Sequence, residues 1–137
     1  MLSYNLINMT IWLNIYAKDV QKLADFYQAI GFQMNPNFKV TDHEASIVFD
    51  HQLVLMIFKD GFFQSVIPTP IVTPKLQSPS VLFSIELPSI DIAENMVQKA
   101  IQYGGKDLEV SSRAKQKGFY NTGFIDPEGH LWNILVR

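Results

Sequence analysis

The chain has 137 residues, of which 47% are hydrophobic and 18% are charged, and this composition predicts one globular domain over residues 1–137. The formal net charge of -2 and the scattered Lys and Arg residues provide no basic surface, so we expect no nucleic acid partner. The absence of cysteine excludes both a disulfide framework and a thiolate metal site.

The first ten residues combine apolar side chains with the polar Ser3, Asn5 and Asn8, and they have no basic flank. A signal peptide or a membrane span needs a longer uninterrupted apolar run. We therefore expect a cytoplasmic protein that has no membrane partner.

The first half of the chain, residues 9–59, alternates between strand and helix patterns. Residues 10–16 are a β-rich run, and Asp19 can cap a helix in which apolar residues recur at helical spacing until Gly31. Three short apolar segments, separated by polar breaks, then predict strands over residues 32–39, 45–49 and 53–58. The predicted order of this module is βαβββ.

The second half, residues 80–137, repeats that order. A strand over residues 81–87 precedes a helix that Ser89 or Asp91 can cap and that a Gly pair can end. Three further strands are predicted over residues 108–111, 119–125 and 131–136. The two halves align at an offset of about 70 residues, which indicates an internal duplication.

The connecting segment, residues 60–79, contains four prolines that argue against regular structure. They are Pro68, Pro70, Pro74 and Pro79. Its apolar side chains exceed what a loose connector can bury locally; they are Phe62, Phe63, Val66, Ile67, Ile71 and Val72. We therefore expect a homodimer, with a lid folded over its own domain as the alternative.

Two motifs resemble those of a known family. The first is LNIYAKD at residues 13–19, followed by FY at 26–27 and GF at 31–32, and the second is FIDPEGHLW at residues 124–132. Both resemble the vicinal oxygen chelate superfamily, which contains glyoxalases, bleomycin resistance proteins and extradiol dioxygenases. The resemblance implies an α+β fold in which two βαβββ modules form a curved mixed sheet with a cleft.

The resemblance also assigns roles to the histidines. It puts His130 next to a turn over residues 126–129, where relatives use this histidine for structural hydrogen bonds rather than for metal binding. His43 and His51 flank the third predicted strand in polar surroundings, and we expect both at surface or loop positions.

Metal-dependent relatives hold a divalent ion with one ligand from the first strand and one from the last strand of each module. The motif register carries the first-strand positions onto Trp12 and Leu82 and the last-strand position of the second module onto Asn133. The matching part of the first module, residues 52–58, contains no Asp, Glu or His. We therefore expect no metal and no other cofactor.

Strand alternation gives the cleft a wall of mixed character. The candidate ligand-binding residues are Trp12, Asn14, Tyr16, Met56, Leu82, Ser84 and Asn133. Glu86 is the acid expected on this wall, where burial would raise its pKa toward that of a general base. The alternative is that Glu86 tilts to solvent at the strand end or pairs with a Lys or Arg.

These features predict a metal-free module that sequesters or senses an aromatic or amphipathic small molecule. The alternative is a lyase or dioxygenase-type enzyme of the same superfamily, similar to lactoylglutathione lyase, with a reorganised metal site or with Glu86 as the base. A purely structural or interaction role is the third possibility.

Overall fold

The computed structural model describes residues 7, 9–50, 53–67, 80–110 and 118–137. The elements in chain order are β1 (Ile11–Tyr16), α1 (Val20–Ala29), β2 (Gln33–Met34), β3 (Glu44–Asp50), β4 (Leu53–Phe58), α2 (Asp60–Val66), β5 (Phe83–Glu86), α3 (Ile90–Gln102), β6 (Lys106–Asp107), β7 (Tyr120–Ile125) and β8 (Leu131–Val136). None of the described helices is long and apolar enough to cross a membrane.

The strands form two four-stranded mixed sheets with the orders β1-β4-β3-β2 and β5-β8-β7-β6. In each sheet the first and last strands of the module pair in parallel, and the remaining neighbours pair antiparallel. One helix connects the first strand of each module to its second, as a parallel βαβ crossover requires. The predicted α+β fold of two βαβββ modules is confirmed.

Local capping explains where the two long helices begin. The Asp19 side chain accepts a hydrogen bond from the backbone N–H of Lys22 at 3.0 Å, and the Ser89 side chain accepts one from Ile92 at 3.2 Å. Each bond satisfies an N–H group that has no partner within its helix. Of the two predicted caps for α3, the structure therefore selects Ser89. Gly31, with φ of 112°, ends α1 in the left-handed conformation that the sequence predicted.

Two predicted strands were wrong in extent. Residues 32–39 contain only the two-residue strand β2, because the Asn35 side chain accepts from the backbone N–H of Asn37 at 3.0 Å and starts a turn around Pro36. The strand expected over residues 108–111 lies earlier, at β6, and residue 111 is outside the described part of the chain. Glu109 has φ of 59°, a conformation that turns the chain out of the sheet.

The expectation of an irregular connector was wrong for its first part, which forms α2. Asp60–Val66 contains no proline, and the four prolines that motivated the prediction lie outside the described residues. The Phe62 ring stacks on Phe58 with centroids 4.0 Å apart, and Phe63 meets Tyr16 edge-on at 6.0 Å. Both rings therefore contact their own module, as the lid alternative supposed, but no residue of α2 is buried, and Phe62 and Val66 are 38% and 65% exposed. Ile71 and Val72 lie outside the described residues.

One aromatic core connects the modules. Phe26 on α1 packs 5.9 Å from Phe124 on β7, and Phe32 packs 5.2 Å from Trp132 on β8, measured between ring centroids. Phe26, Phe32, Phe124 and Trp132 are all buried. Because aromatic rings bury large areas and interlock in tilted or edge-on geometry, this cluster fixes the second sheet against the helix of the first module.

A turn of the second module, residues 126–130, also joins the modules and is called the clasp below. The two carboxylate oxygens of Glu128 accept hydrogen bonds from the backbone N–H groups of Lys18 (2.9 Å) and Asp19 (3.1 Å), just before α1. α1 has no acidic residue in its own first turn. Since exposed N–H groups and the helix dipole favour an anion there, Glu128 adds from the other module a second negative charge to that of the capping Asp19.

A buried carboxylate lies inside the clasp. Asp126 accepts hydrogen bonds from the backbone N–H groups of Glu128 (2.9 Å) and His130 (3.0 Å) and from the hydroxyl of Tyr27 on α1. Nδ1 of His130 lies 3.2 Å from Asp126 Oδ2. Burial raises the pKa of Asp126, and burial together with the neighbouring Asp126 raises the pKa of Tyr27 well above its usual value.

Tyr27→Phe removes the hydroxyl that donates to Asp126 and should lower the free energy of unfolding at neutral pH by about 1–3 kcal/mol. Above pH 10.0, the usual tyrosine pKa, only the unfolded state releases the Tyr27 proton. Wild-type stability should therefore fall with rising pH there, and less steeply in Tyr27→Phe. Urea denaturation from neutral to alkaline pH measures both effects. The exposed Tyr103→Phe is the control, and identical alkaline slopes in wild type and Tyr27→Phe would contradict the assignment.

Candidate ligand-binding face

The face of each sheet that lies opposite its helix is called the cleft face below. In the first module it carries Trp12, Asn14 and Tyr16 on β1, and Met56 on β4 lies beside Asn14 in the parallel register. Trp12 is 51% exposed and meets Phe38 edge-on, whereas Met56 is buried. This half of the face therefore presents an accessible indole ring.

In the second module the cleft face combines an apolar edge with a neutral polar pair. Leu82, which directly precedes β5, is 55% exposed. Ser84 on β5 pairs with Asn133 on β8, and Nδ2 of Asn133 donates to Oγ of Ser84 at 3.2 Å. Gly123 on β7 is paired with Asn133 and lies on the same face, because the neighbouring Phe124 packs into the core.

The candidate residues fall into two groups, one on each sheet. Tyr16 contacts Phe63 and Ser84 bonds Asn133, so each of these contacts lies within one module. β1 and β5 are the edge strands of their sheets. The described chain thus carries two half-faces, each with part of the predicted residue set.

The strand register identifies the position that the sequence left uncertain. Asn14 pairs with Met56 as Ser84 pairs with Asn133, so Met56 is the first-module equivalent of Asn133. The four positions corresponding to metal ligands in relatives therefore carry an indole, an isobutyl group, a thioether and an amide. A divalent ion prefers carboxylate, imidazole or thiolate donors, and this set does not fit one. Within the described ranges, no three His, Asp or Glu side chains converge elsewhere to hold a metal either.

Glu86 is not buried, whereas its expected role as a general base assumed that it is. It is the last residue of β5, and Nε of Arg137, just after β8, donates to its Oε2 at 3.0 Å. The two side chains are 46% and 67% exposed. The alternative prediction, that Glu86 lies at the strand end and pairs with a basic residue, is the one that the structure confirms.

The histidines have structural or surface positions where they are described. The contact of His130 with Asp126 confirms its predicted hydrogen-bonding role in the clasp. His43 is exposed in the loop before β3, as predicted, and His51 lies outside the described residues.

One partner of a candidate residue was missed from the sequence. Asp60, the first residue of α2, accepts a hydrogen bond from the Tyr16 hydroxyl, and this bond raises the pKa of Tyr16. The sequence did contain a signal for this helix. Asp60 begins a proline-free stretch, and helices favour an acidic residue in their first turn. Tyr16 therefore has its hydroxyl engaged within its own module.

A concavity lies away from the cleft face, between α1 and the end of α3. Its volume is about 390 Å³, and it is lined by Asp19, Gln21, Lys22, Asp25, Phe26 and Tyr103. None of these residues was a sequence-predicted site residue. Asp19 and Gln21 are already engaged, since Asp19 caps α1 and Gln21 donates to Asp25.

The exposure of the Glu86–Arg137 pair predicts a weak interaction. A double-mutant cycle with Glu86→Gln and Arg137→Gln should give a coupling free energy below about 1 kcal/mol that decreases further at high salt. Chemical denaturation of the four proteins measures it. A salt-insensitive coupling above about 2 kcal/mol would mean that the pair is shielded from solvent, and would contradict the exposed position of both side chains.

No protein-family model matches the chain, and no curated protein matches it. Solved structures do. A hypothetical protein from S. aureus is 27% identical with a TM-score of 0.77, over 96% of this chain and 95% of that one. A glyoxalase/bleomycin resistance protein/dioxygenase family enzyme from Burkholderia phytofirmans PsJN is 16% identical with a TM-score of 0.72, over 91% and 95%.

A lactoylglutathione lyase from Agrobacterium tumefaciens is 14% identical with a TM-score of 0.64, over 97% of this chain and 96% of that one. These similarities extend across both modules. The chain therefore has the fold of the glyoxalase/bleomycin resistance protein/dioxygenase family, and the resemblance of its motifs to the vicinal oxygen chelate superfamily is confirmed at the level of that fold.

Proposed function

We propose that this protein binds a small aromatic or amphipathic molecule on its cleft face without a metal ion. The observation that carries the proposal is the chemistry at the four positions corresponding to metal ligands. Trp12 and Leu82 offer exposed apolar surface, Met56 is a buried apolar side chain, and Asn133 adds one neutral amide. Such a face can stack on a ring and exclude water, but it has no charge to polarise an enediolate or a catechol.

The exposed side chains suggest how the ligand is held. Trp12 and Leu82 leave large apolar surfaces in water, and covering them gains roughly 25 cal/mol for each Å² removed from solvent. Ser84 and Asn133 add neutral hydrogen-bonding groups next to that surface. The ligand class that suits both features is a flat apolar group that carries a neutral donor or acceptor.

We also propose that a second copy of the chain completes the site. Ile11 at the start of β1 is 57% exposed and Val81 before β5 is 58% exposed, next to Trp12 and Leu82 respectively. Both strands are sheet edges, and exposed apolar edges are surfaces that a partner covers. A two-fold axis would bring the equivalent strand ends of two copies together and join their half-faces. The expectation of a homodimer therefore rests on these exposed strand ends and no longer on the connector residues Phe62 and Phe63.

The alternative is an enzyme of the same fold, similar in function to the lactoylglutathione lyase from Agrobacterium tumefaciens. Proton abstraction would need a base beside the bound ligand, and Glu86 is the acid on the candidate face. Glu86 is 46% exposed and its carboxylate is paired with Arg137, which weighs against its serving as that base. We therefore keep the binding role as the proposed function.

Binding should be detectable with anilinonaphthalene sulfonate, a fluorescent aromatic probe, and should be insensitive to metal. In a fluorescence titration, Trp12→Ala should lower the affinity for the probe by about tenfold through loss of ring contact, and Trp12→Phe should lower it less. Tyr103→Ala is the matched control, because that ring lines the separate pocket between α1 and α3. Failure of the wild type to bind, or weakening only by Tyr103→Ala, would contradict the proposed site.

The same preparation should show no thermal shift with Ni, Zn, Mn or Fe(II). A metal at a concentration a hundredfold above its dissociation constant would add about 2.7 kcal/mol, which corresponds to several degrees in the melting temperature. A reproducible metal-dependent shift that Asn133→Ala abolishes would instead support the enzyme alternative.

Light scattering at tens of micromolar should give a dimer mass for the wild type and a monomer mass for the double variant Ile11→Asp/Val81→Asp, because charges on both strand ends oppose their burial. The control is Ile92→Asp/Ile101→Asp, which places the same charges at exposed positions on α3 and should remain dimeric. A monomeric wild type would remove the dimer, and a dimeric strand-end variant would show that it forms elsewhere.

A further inference from the structure

We propose that Leu108 determines which ligands fit the second-module half of the cleft face. This inference rests on the proposed binding function and deepens it. Leu108 follows β6, and its backbone N–H donates to the carbonyl of Gly123 on β7 at 3.1 Å. The bond holds Leu108 beside the strand that carries Gly123, although residue 108 is no longer part of a sheet.

The position of the Leu108 side chain follows from the space around Gly123. A Cβ atom added to Gly123 would lie 2.3 Å from the backbone carbonyl oxygen of Trp132, 2.9 Å from Cδ2 of Leu108 and 3.3 Å from Cα of Asn133. The flanking Thr122 and Phe124 are fully buried, and the alternation set by Phe124 assigns position 123 to the opposite face of the sheet. The Leu108 side chain therefore lies over Gly123 on the cleft face, next to Asn133. Gly123 has no side chain that would displace it.

The backbone after Leu108 is held in an unusual conformation. Glu109 has a φ of 59°, which is uncommon for a residue with a side chain, and its N–H donates to Asp107 Oδ1 at 2.7 Å. This short turn takes the chain out of the sheet directly behind Leu108. It provides a reason for Leu108 to cover Gly123 instead of continuing along the sheet edge.

The consequence concerns the width of the ligand. Asn133 and Ser84 form the polar pair of this half-face, and Leu108 is the wall beside Asn133. A ligand group that reaches the pair must pass a branched aliphatic side chain, so a narrow apolar group is favoured over a broad one. A smaller residue at position 108 should admit the broad group, and a larger residue should exclude it.

The test compares anilinonaphthalene sulfonate with its covalent dimer, bis-anilinonaphthalene sulfonate, by fluorescence titration. The measured quantity is the ratio of the affinity for the larger probe to that for the smaller one. Leu108→Ala should raise this ratio by about tenfold, and Leu108→Phe should lower it. Glu109→Gly changes the turn without changing the wall, so it should alter thermal stability but leave the ratio unchanged. If Leu108→Ala does not fold, the opposite shift expected for Leu108→Phe decides the question.

The outcomes separate this inference from the proposed function. If Trp12→Ala weakens both probes while neither Leu108 variant changes their ratio, the binding face stands and the role of Leu108 is overturned. If Trp12→Ala weakens neither probe, the binding face itself fails. A ratio that moves with Glu109→Gly as much as with Leu108→Ala would show that the turn, and not the side chain, sets selectivity, and would also overturn the inference.

Discussion

The arrangement of the modules depends on one buried carboxylate, that of Asp126. A carboxylate removed from water is costly unless hydrogen bonds replace its hydration. Asp126 receives backbone N–H groups from its own turn and a hydroxyl from Tyr27, about 100 residues earlier in the chain. Its stability therefore requires α1 of the first module to lie against the clasp of the second. Glu128 strengthens this requirement from the other side of the same turn.

The clasp leads directly into β8, and this strand serves the core and the candidate site at once. Trp132 points into the aromatic core, where it packs against Phe32 and Phe124. Asn133, the next residue, points to the opposite face and bonds Ser84. Because side chains alternate along a strand, fixing the inward ring also fixes the outward amide. The interaction that holds the modules together thus orients part of the proposed ligand-binding face.

Periodicity and capping residues sufficed to predict much of this fold. The two long helices and strands such as β4 and β8 follow from local patterns, and the motif resemblance gave their arrangement. The hydrogen bonds that join the clasp to the first module connect residues far apart in sequence, and no local pattern contains them. α2 was missed because the prolines of the connector were applied to the whole segment, although they come after the helix.

The candidate site was predicted less completely for a related reason. Alternation correctly assigned Ser84 and Asn133 to one face, but it left open whether Glu86 is buried or lies at the strand end in solvent, and only the structure shows that it pairs with Arg137. The covering of Gly123 by Leu108 depends on a left-handed residue at Glu109, and sequence patterns give no warning of such a conformation at a glutamate.

Binding of a ligand to the cleft face around Trp12 can be tested by an NMR titration of indole N–H signals. The chain has two tryptophans, Trp12 at the exposed face and Trp132 in the core, so each signal reports on one environment. With anilinonaphthalene sulfonate as the probe, we expect the Trp12 signal to shift with concentration together with the side-chain amide of Asn133, while the Trp132 signal changes little. A saturable probe interaction that leaves the Trp12 and Asn133 signals unchanged, or that shifts residues of the pocket between α1 and α3 instead, would contradict binding at the cleft face.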